Sequence, residues 1–176
     1  MRYHILAVDY DGTLAAHGAL EEDTAAALER LRATGWGLVM VTGRELPELK
    51  QVCPRLDLFD WVVAENGALL HSPSTDMETL LAEPPPADFV AALRARDLRP
   101  LSVGRVVVAT REPHGADVEA AIRALGLDLR IVLNKGAVMV LPAGVDKAFG
   151  LGAALTRMGL SPADVVARVS DRRLLN

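Results

Sequence analysis

Apolar positions along this chain fall into two periods, and the periods alternate. Ile5 to Val8 is a short continuous apolar run closed by acids and Gly12, which predicts a buried strand. Glu21 to Ala33 sets Ala25, Leu28 and Leu31 at helical spacing and stops at Gly35, which predicts a helix. In "WGLVMVTG" the run Leu38 to Val41 predicts a second strand, stopping at Thr42-Gly43. A short helix is expected from about Pro47 to Val52. "WVVAENGALL" then reads as a strand, a turn at Asn66-Gly67 and a second short strand. Strands alternating with helices predict a parallel sheet with helical crossovers.

The pattern breaks at "HSPSTDMETLLAEPPPADF", where four prolines and small polar residues predict a boundary or linker. Beyond it Ala87 to Arg96 reads as a helix, Arg105 to Thr110 as a strand and Gly115 to Leu125 as a helix. Leu129 to Leu133 and Ala137 to Leu141 read as a hairpin around "NKG". Two helices and about three strands predict a small α+β unit of its own. Pro142 to Val145 leads out of it. Lys147 to Met158 returns to helical spacing, with Gly159 as a stop, and "ADVVARVSD" is one more apolar strand running into Ser170-Asp171.

Composition narrows the class. Of 176 residues, 51% are hydrophobic, enough for a packed core and against disorder. A net charge of -4 argues against a general nucleic-acid binder. No apolar run is long enough for a bilayer, and the first residues do not read as a signal peptide. Cys53 is the single cysteine, which precludes an internal disulfide and suits a small core position. These features predict a soluble cytoplasmic protein with neither nucleic-acid nor membrane partners. His4, His17, His71 and His114 have no metal-ligand spacing, so surface or satisfied core roles are expected for them.

Candidate chemistry starts at Asp9 and Asp11, two acids directly after the first strand in "HILAVDYDGTLA". Ligands of open α/β sheets sit at the carboxyl ends of strands. Asp9 and Asp11, then Thr42-Gly43, then Asp171 all fall at such ends, and Lys147 opens the last helix. Two acids that close repel each other, which points to a cation between them. Mg²⁺ takes one or two carboxylates together with water and phosphate oxygens. Backbone N–H groups around Gly12 and Gly43, the Thr42 hydroxyl and Lys147 could then grip a phosphoryl group. One carboxylate can attack phosphorus, and the other can protonate the leaving oxygen and later activate water.

At these residues the chain resembles the haloacid dehalogenase-like superfamily of phosphohydrolases. "DYDGT" matches the first motif, Thr42 in "VTGR" the second and Lys147 in "LPAGVDKAFGL" the third. "AENGALL" and "PAGVDK" resemble the Cof-type or IIB group, which inserts a C2-type α/β cap between the second and third motifs. The resemblance implies a Rossmann-like parallel-sheet core in two parts, 1–72 and 146–176, with a cap at 73–145 that closes over substrate. It implies a Mg²⁺-dependent phosphatase working on a small phosphorylated metabolite through an aspartyl-phosphate. Asp9 would be the nucleophile and Asp11 the general acid/base. Thr42 and Lys147 would hold the phosphoryl group, and Gly12, Thr13, Gly43, Arg44 and Asn66 would lie at the substrate. Asp9, the backbone carbonyl of Asp11 and Asp171 would hold the metal. In the cap, Arg111 and Asn134 are candidate substrate contacts.

The fourth motif of the family, a Gly-Asp with a second acid four residues on, is altered. Ser170 stands for the Gly, Leu175 for the second acid, and Arg172-Arg173 fall where small or acidic residues are expected. The second part of the core therefore reads as incomplete, with one apolar sheet edge unpaired. An inactive or partner-dependent fragment is the alternative function, and a phosphosugar mutase a further one. The substrate ester and the oligomeric state stay open.

Overall fold

The computed structural model describes residues 4–15 and 19–168. The chain divides into two compact units, one formed by Met1–Leu81 with Asp146–Asn176 and the other by Ala82–Val145.

The first unit is a six-stranded sheet in the order β10-β1-β2-β3-β4-β5. Its strands are β1 (Ile5–Asp9), β2 (Gly37–Val41), β3 (Trp61–Ala64), β4 (Leu69–Ser72), β5 (Met77–Leu80) and β10 (Val165–Arg168). β10, β1, β2 and β3 run parallel, and β4 and β5 fold back antiparallel. Its helices are α1 (Glu22–Ala33), α2 (Leu46–Val52) and α5 (Lys147–Met158).

Alternation along each strand explains the unbroken apolar runs. Ile5, Ala7, Val39, Val41 and Val63 point to one face and pack with Ala154 and Leu155 of α5. Val8, Leu38, Met40 and Val62 point to the other and pack with Ala25, Leu28, Leu46 and Leu49 of α1 and α2. A sheet covered on both faces has no solvent side, so its strands lose the polar alternation of a half-exposed sheet. Helix α1 lacks a side-chain cap but carries Glu22 and Asp23 in its first turn and Arg30 and Arg32 in its last, which complement its dipole.

The second unit holds α3 (Ala87–Ala95), β6 (Ser102–Val103), β7 (Val108–Arg111), α4 (Gly115–Ala124), β8 (Leu129–Asn134) and β9 (Ala137–Pro142). Its sheet is antiparallel in the order β6-β7-β9-β8. One face packs Val108, Val138 and Val140 against Phe89 and Leu93 of α3 and Val118 and Ala121 of α4.

Three sequence expectations need correction. The stretch expected to be a linker contains β5, which pairs with β4, so the unit boundary falls after Leu81 rather than after residue 72. The strand expected from Arg105 begins at Val108, and β6 was hidden because two residues carry no readable period. The second unit thus has four strands, not three.

His71, on β4, is also not a satisfied core histidine. It is 2% exposed, and its Nδ1 has no hydrogen-bond partner. Its Nε2 lies 3.9 Å from Asp76, which pairs with Lys50 at 2.7 Å. Burial, and then the Lys50 charge, push the imidazole below its ordinary 6.5. Between 6.5 and that lower value the unfolded chain binds more protons than the folded one. Stability from this group is therefore full above 6.5 and declines as pH falls through the window. Melting temperatures of the parent and His71→Gln, taken from neutral to mildly acidic pH, should diverge: the parent loses stability on acidification and the variant loses less.

Candidate active site

Asp9 is the last residue of β1 and is 3% exposed. Lys147 is the first residue of α5, and its Nζ donates to Asp9 Oδ1 at 3.1 Å across 138 positions of sequence. The Asp146 carboxylate caps that helix by accepting from the Phe149 N–H at 2.8 Å. Thr42, directly after β2, is fully buried, and its Oγ1 accepts from the Arg44 N–H at 3.1 Å. A hydroxyl that accepts once still has its own proton to donate.

The loop after β2 is stitched to the turn after β3. The Asn66 N–H donates to the Thr42 carbonyl and the Glu65 N–H to the Arg44 carbonyl, each at 3.0 Å. A Cβ on Gly43 would stand 3.0 Å from Asn66 Oδ1, so that side chain lies on the Gly43 backbone. The turn spans Glu65–Gly67, and all three residues have positive φ, at 50°, 54° and 103°. Left-handed backbone at a non-glycine residue is held only by surrounding structure, and it clusters where geometry matters to function. Glu65 is 0% exposed. Sequence reasoning misses it, although it carries the same signal as Asp9, an acid directly after an apolar strand.

Two glycines set the position of α5. A Cβ on Gly67 would lie 1.8 Å from the Asp146 carbonyl oxygen. A Cβ on Gly150 would lie 2.4 Å from Val63 Cγ1 and 2.6 Å from the Gly67 Cα. Helix and turn therefore meet backbone to backbone, one residue before Lys147.

Asp11 follows two residues after Asp9. Its carboxylate is held by Arg44, with Nε at 3.0 Å from both oxygens and Nη2 at 2.7 Å from Oδ1. That contact, more than any other, holds the guanidinium charged. Arg44 also pairs with Glu48 and lies over the Tyr10 ring at 5.6 Å. Tyr10 is buried, donates its hydroxyl to the Val52 carbonyl at 3.1 Å, and has its pKa pushed up to about 12, chiefly by burial. Tyr10→Phe should lower stability by about 1 kcal/mol, the usual net value of such a bond, in a denaturant titration.

The Gly12–Thr13 turn is less available than its sequence implies. The Gly12 N–H donates to the Ala15 carbonyl at 3.1 Å, and the Thr13 N–H points at the Tyr10 carbonyl at 3.4 Å. Gly12 thus shapes the turn, with φ 81°, rather than offering a donor to a ligand. Asp171 lies outside the described residues, and so does His17. Arg111 and Asn134 end β7 and begin the β8–β9 turn in the second unit.

Among the described residues no group of three or more His, Cys, Asp or Glu gathers as a metal cage. The Asp9 carboxylate and the Asp11 backbone carbonyl are oxygen donors, and a hard dication that keeps several waters needs only one or two carboxylates. Asp9 and Asp11 fit Mg²⁺ by that chemistry.

A family model described as haloacid dehalogenase-like hydrolase matches residues 6–95. An HMP-PP phosphatase of Cronobacter sakazakii is 38% identical over 72 residues, 40% of this chain and 26% of that protein. The chain spans less than a third of the length of the curated relatives it matches, 26% and 29%. A solved protein of Thermoplasma acidophilum superposes with a TM-score of 0.74 at 14% identity, over 95% of this chain and 76% of that one. A subclass IIB sugar phosphatase superposes with a TM-score of 0.69 at 15% identity, over 93% and 79%. At such identities the structural likeness establishes the fold.

Proposed function

Because the chain belongs to the haloacid dehalogenase-like hydrolases, we propose that it is a Mg²⁺-dependent phosphatase of a small phosphorylated metabolite, with Asp9 as nucleophile. The observation that carries this reading is the Lys147–Asp9 pair at the end of β1, with Thr42 at the matching end of β2. The pair fixes the Asp9 carboxylate at the strand end, where one oxygen can serve as the attacking atom.

In the proposed reaction an Asp9 oxygen forms a bond to phosphorus as the ester P–O bond breaks. Asp11 delivers a proton to the departing oxygen. Water then attacks phosphorus and gives its proton to Asp11, and the Asp9–phosphorus link breaks to release phosphate. Mg²⁺ would be held by the Asp9 carboxylate and the backbone carbonyl of Asp11, with Asp171 as a third candidate, and would supply positive charge that offsets repulsion between carboxylate and phosphoryl oxygens. Lys147 adds a second positive charge, and the Thr42 hydroxyl donates to a phosphoryl oxygen.

Arg44 bears on the second acid. The guanidinium fork occupies both Asp11 oxygens, whereas the first step needs one of them to pass a proton to the leaving group. Arg44 therefore has to leave Asp11 before the acid works, and a phosphorylated substrate is the anion that would draw it off. Arg44→Met should lower kcat/KM by about tenfold to a hundredfold for a phosphate ester, as loss of an anion clamp does. Steady-state kinetics against the parent chain would check it.

The reading itself is tested by phosphate release from an aryl phosphate, measured with Mg²⁺ and again after chelation. Release that needs the metal and yields free phosphate supports it. A folded chain that releases none with Mg²⁺ present, across aryl and sugar phosphates, would overturn it.

A further inference from the structure

We propose that Arg44 selects the substrate: the ester taken at this site carries a carboxylate about one or two carbons from its ester oxygen, and Arg44 binds that carboxylate. This inference rests on the phosphatase reading above. The Arg44 guanidinium already displays the chemistry. Its Nε lies 3.0 Å from both Asp11 oxygens and its Nη2 2.7 Å from Oδ1, so the edge between these nitrogens fits a planar carboxylate. When Asp11 turns to the leaving oxygen, that edge loses both acceptors. The Arg44 side chain is 22% exposed, so water replaces them incompletely. A carboxylate on the substrate replaces them in kind.

The rest of the guanidinium stays held when Asp11 turns away. Its Nη1 pairs with Glu48 in the first turn of α2, and its carbon lies over the Tyr10 ring. The Tyr10 hydroxyl donates to the carbonyl of Val52, the last residue of α2, so one short helix fixes both supports. The root of the side chain is fixed as well. The Arg44 N–H donates to Thr42 Oγ1, and the Arg44 carbonyl accepts from the Glu65 N–H. A cation held at its root and at its far nitrogen is a preorganised seat for an anion, with little freedom left to lose on binding.

The order of the reacting atoms decides which part of the substrate meets this seat. In phosphoryl transfer the attacking and leaving oxygens stand roughly in line across phosphorus. Asp9 attacks from one side in the proposed reaction, and Asp11 serves the oxygen on the other. A group that touches the Asp11 carboxylate therefore lies on the leaving side, beside the organic part of the ester. The two cations divide accordingly, Lys147 on Asp9 at 3.1 Å and Arg44 on Asp11. An anion that takes over the fork sits within one turn of the short Asp11 side chain, which sets the short spacer. A substrate ammonium in the same place would meet the guanidinium as a like charge.

The test uses the full chain with Mg²⁺ and three esters of matched size, carboxymethyl phosphate, 2-hydroxyethyl phosphate and 2-aminoethyl phosphate. All present the same phosphoryl group and differ in the charge of the leaving group. For the parent, kcat/KM should be about tenfold to a hundredfold higher for the carboxylate than for the alcohol, the scale of hydrogen bonds to charged groups, and lowest for the amine. Arg44→Met should bring the carboxylate-to-alcohol ratio to about one. Arg44→Lys keeps the charge and loses the fork, so its ratio should fall between. A parent that hydrolyses all three with equal kcat/KM overturns the proposal and leaves the phosphatase reading standing. So does a preference for the carboxylate that survives Arg44→Met unchanged. A folded parent inert on these esters and on aryl and sugar phosphates overturns both. If the Arg44 variants fail to fold by circular dichroism, the parent's ranking of the three esters decides alone.

Discussion

Asp9→Asn is expected to remove metal-dependent phosphate release, by at least about 10⁴-fold, the scale on which loss of a nucleophile registers. The substitution keeps the side chain's size and an oxygen acceptor at a site 3% exposed, so packing against β2 is undisturbed. It removes the charge that would bind the metal and the electron pair that would attack phosphorus. It also leaves Lys147 without its ion partner. That side chain retains 18% exposure and can reach water, so the stability loss should sit near the low end for a broken buried pair, about 3 kcal/mol. Turnover and a denaturant titration separate the two effects. A folded variant that still turns over at the parent rate would remove Asp9 from the mechanism. If parent and variant are equally inert while folded, family membership stands and the phosphatase reading of this chain falls.

Gly67→Ala should be nearly as damaging, although Gly67 contributes no side chain to any chemistry. Its φ of 103° suits glycine, and an added Cβ would meet the Asp146 carbonyl at 1.8 Å. Both atoms in the clash belong to or spring from backbone, so neither can rotate away. The start of α5 must shift, and Lys147 shifts with it. A displacement of about 1 Å at a positioning group can lower turnover about 100-fold. Strain at such a position adds about 1–3 kcal/mol of destabilisation. Gly152→Ala, on the same helix, is the control. Nothing lies within 4 Å of its added Cβ, so it should gain up to about 1 kcal/mol from helix propensity. If Gly67→Ala matches the parent in melting temperature and in kcat/KM, the backbone contact does not set the site.

The same contact marks where sequence reading runs out. Strands β1, β2 and β3 were legible because burial on both faces makes their apolar runs unbroken, and α1, α2 and α5 because their apolar residues recur on one side. Asp9, Thr42 and Lys147 were legible because an acid, a hydroxyl or a lysine at an element's end breaks the apolar pattern. Strand β5 was not, since its exposed residues Met77, Glu78 and Leu80 keep no hidden face for a period to report. Glu65 has the signal of Asp9 but stands beside Asn66-Gly67, whose turn chemistry absorbs the attention.

By itself, then, the order of apolar and polar residues determined the alternating α/β core, the inserted second unit and the identity of the acids at the strand ends. Only the tertiary structure decided which groups meet. It pairs Lys147 with Asp9 across 138 positions and Arg44 with Asp11 across 33. It commits the Gly12 N–H to Ala15 and orders the second unit's sheet β6-β7-β9-β8. Local patterns record what each residue does to its own backbone and its own face. Partners distant in sequence are set by strand order and by how closely two backbones can approach, and no single stretch of chain encodes either.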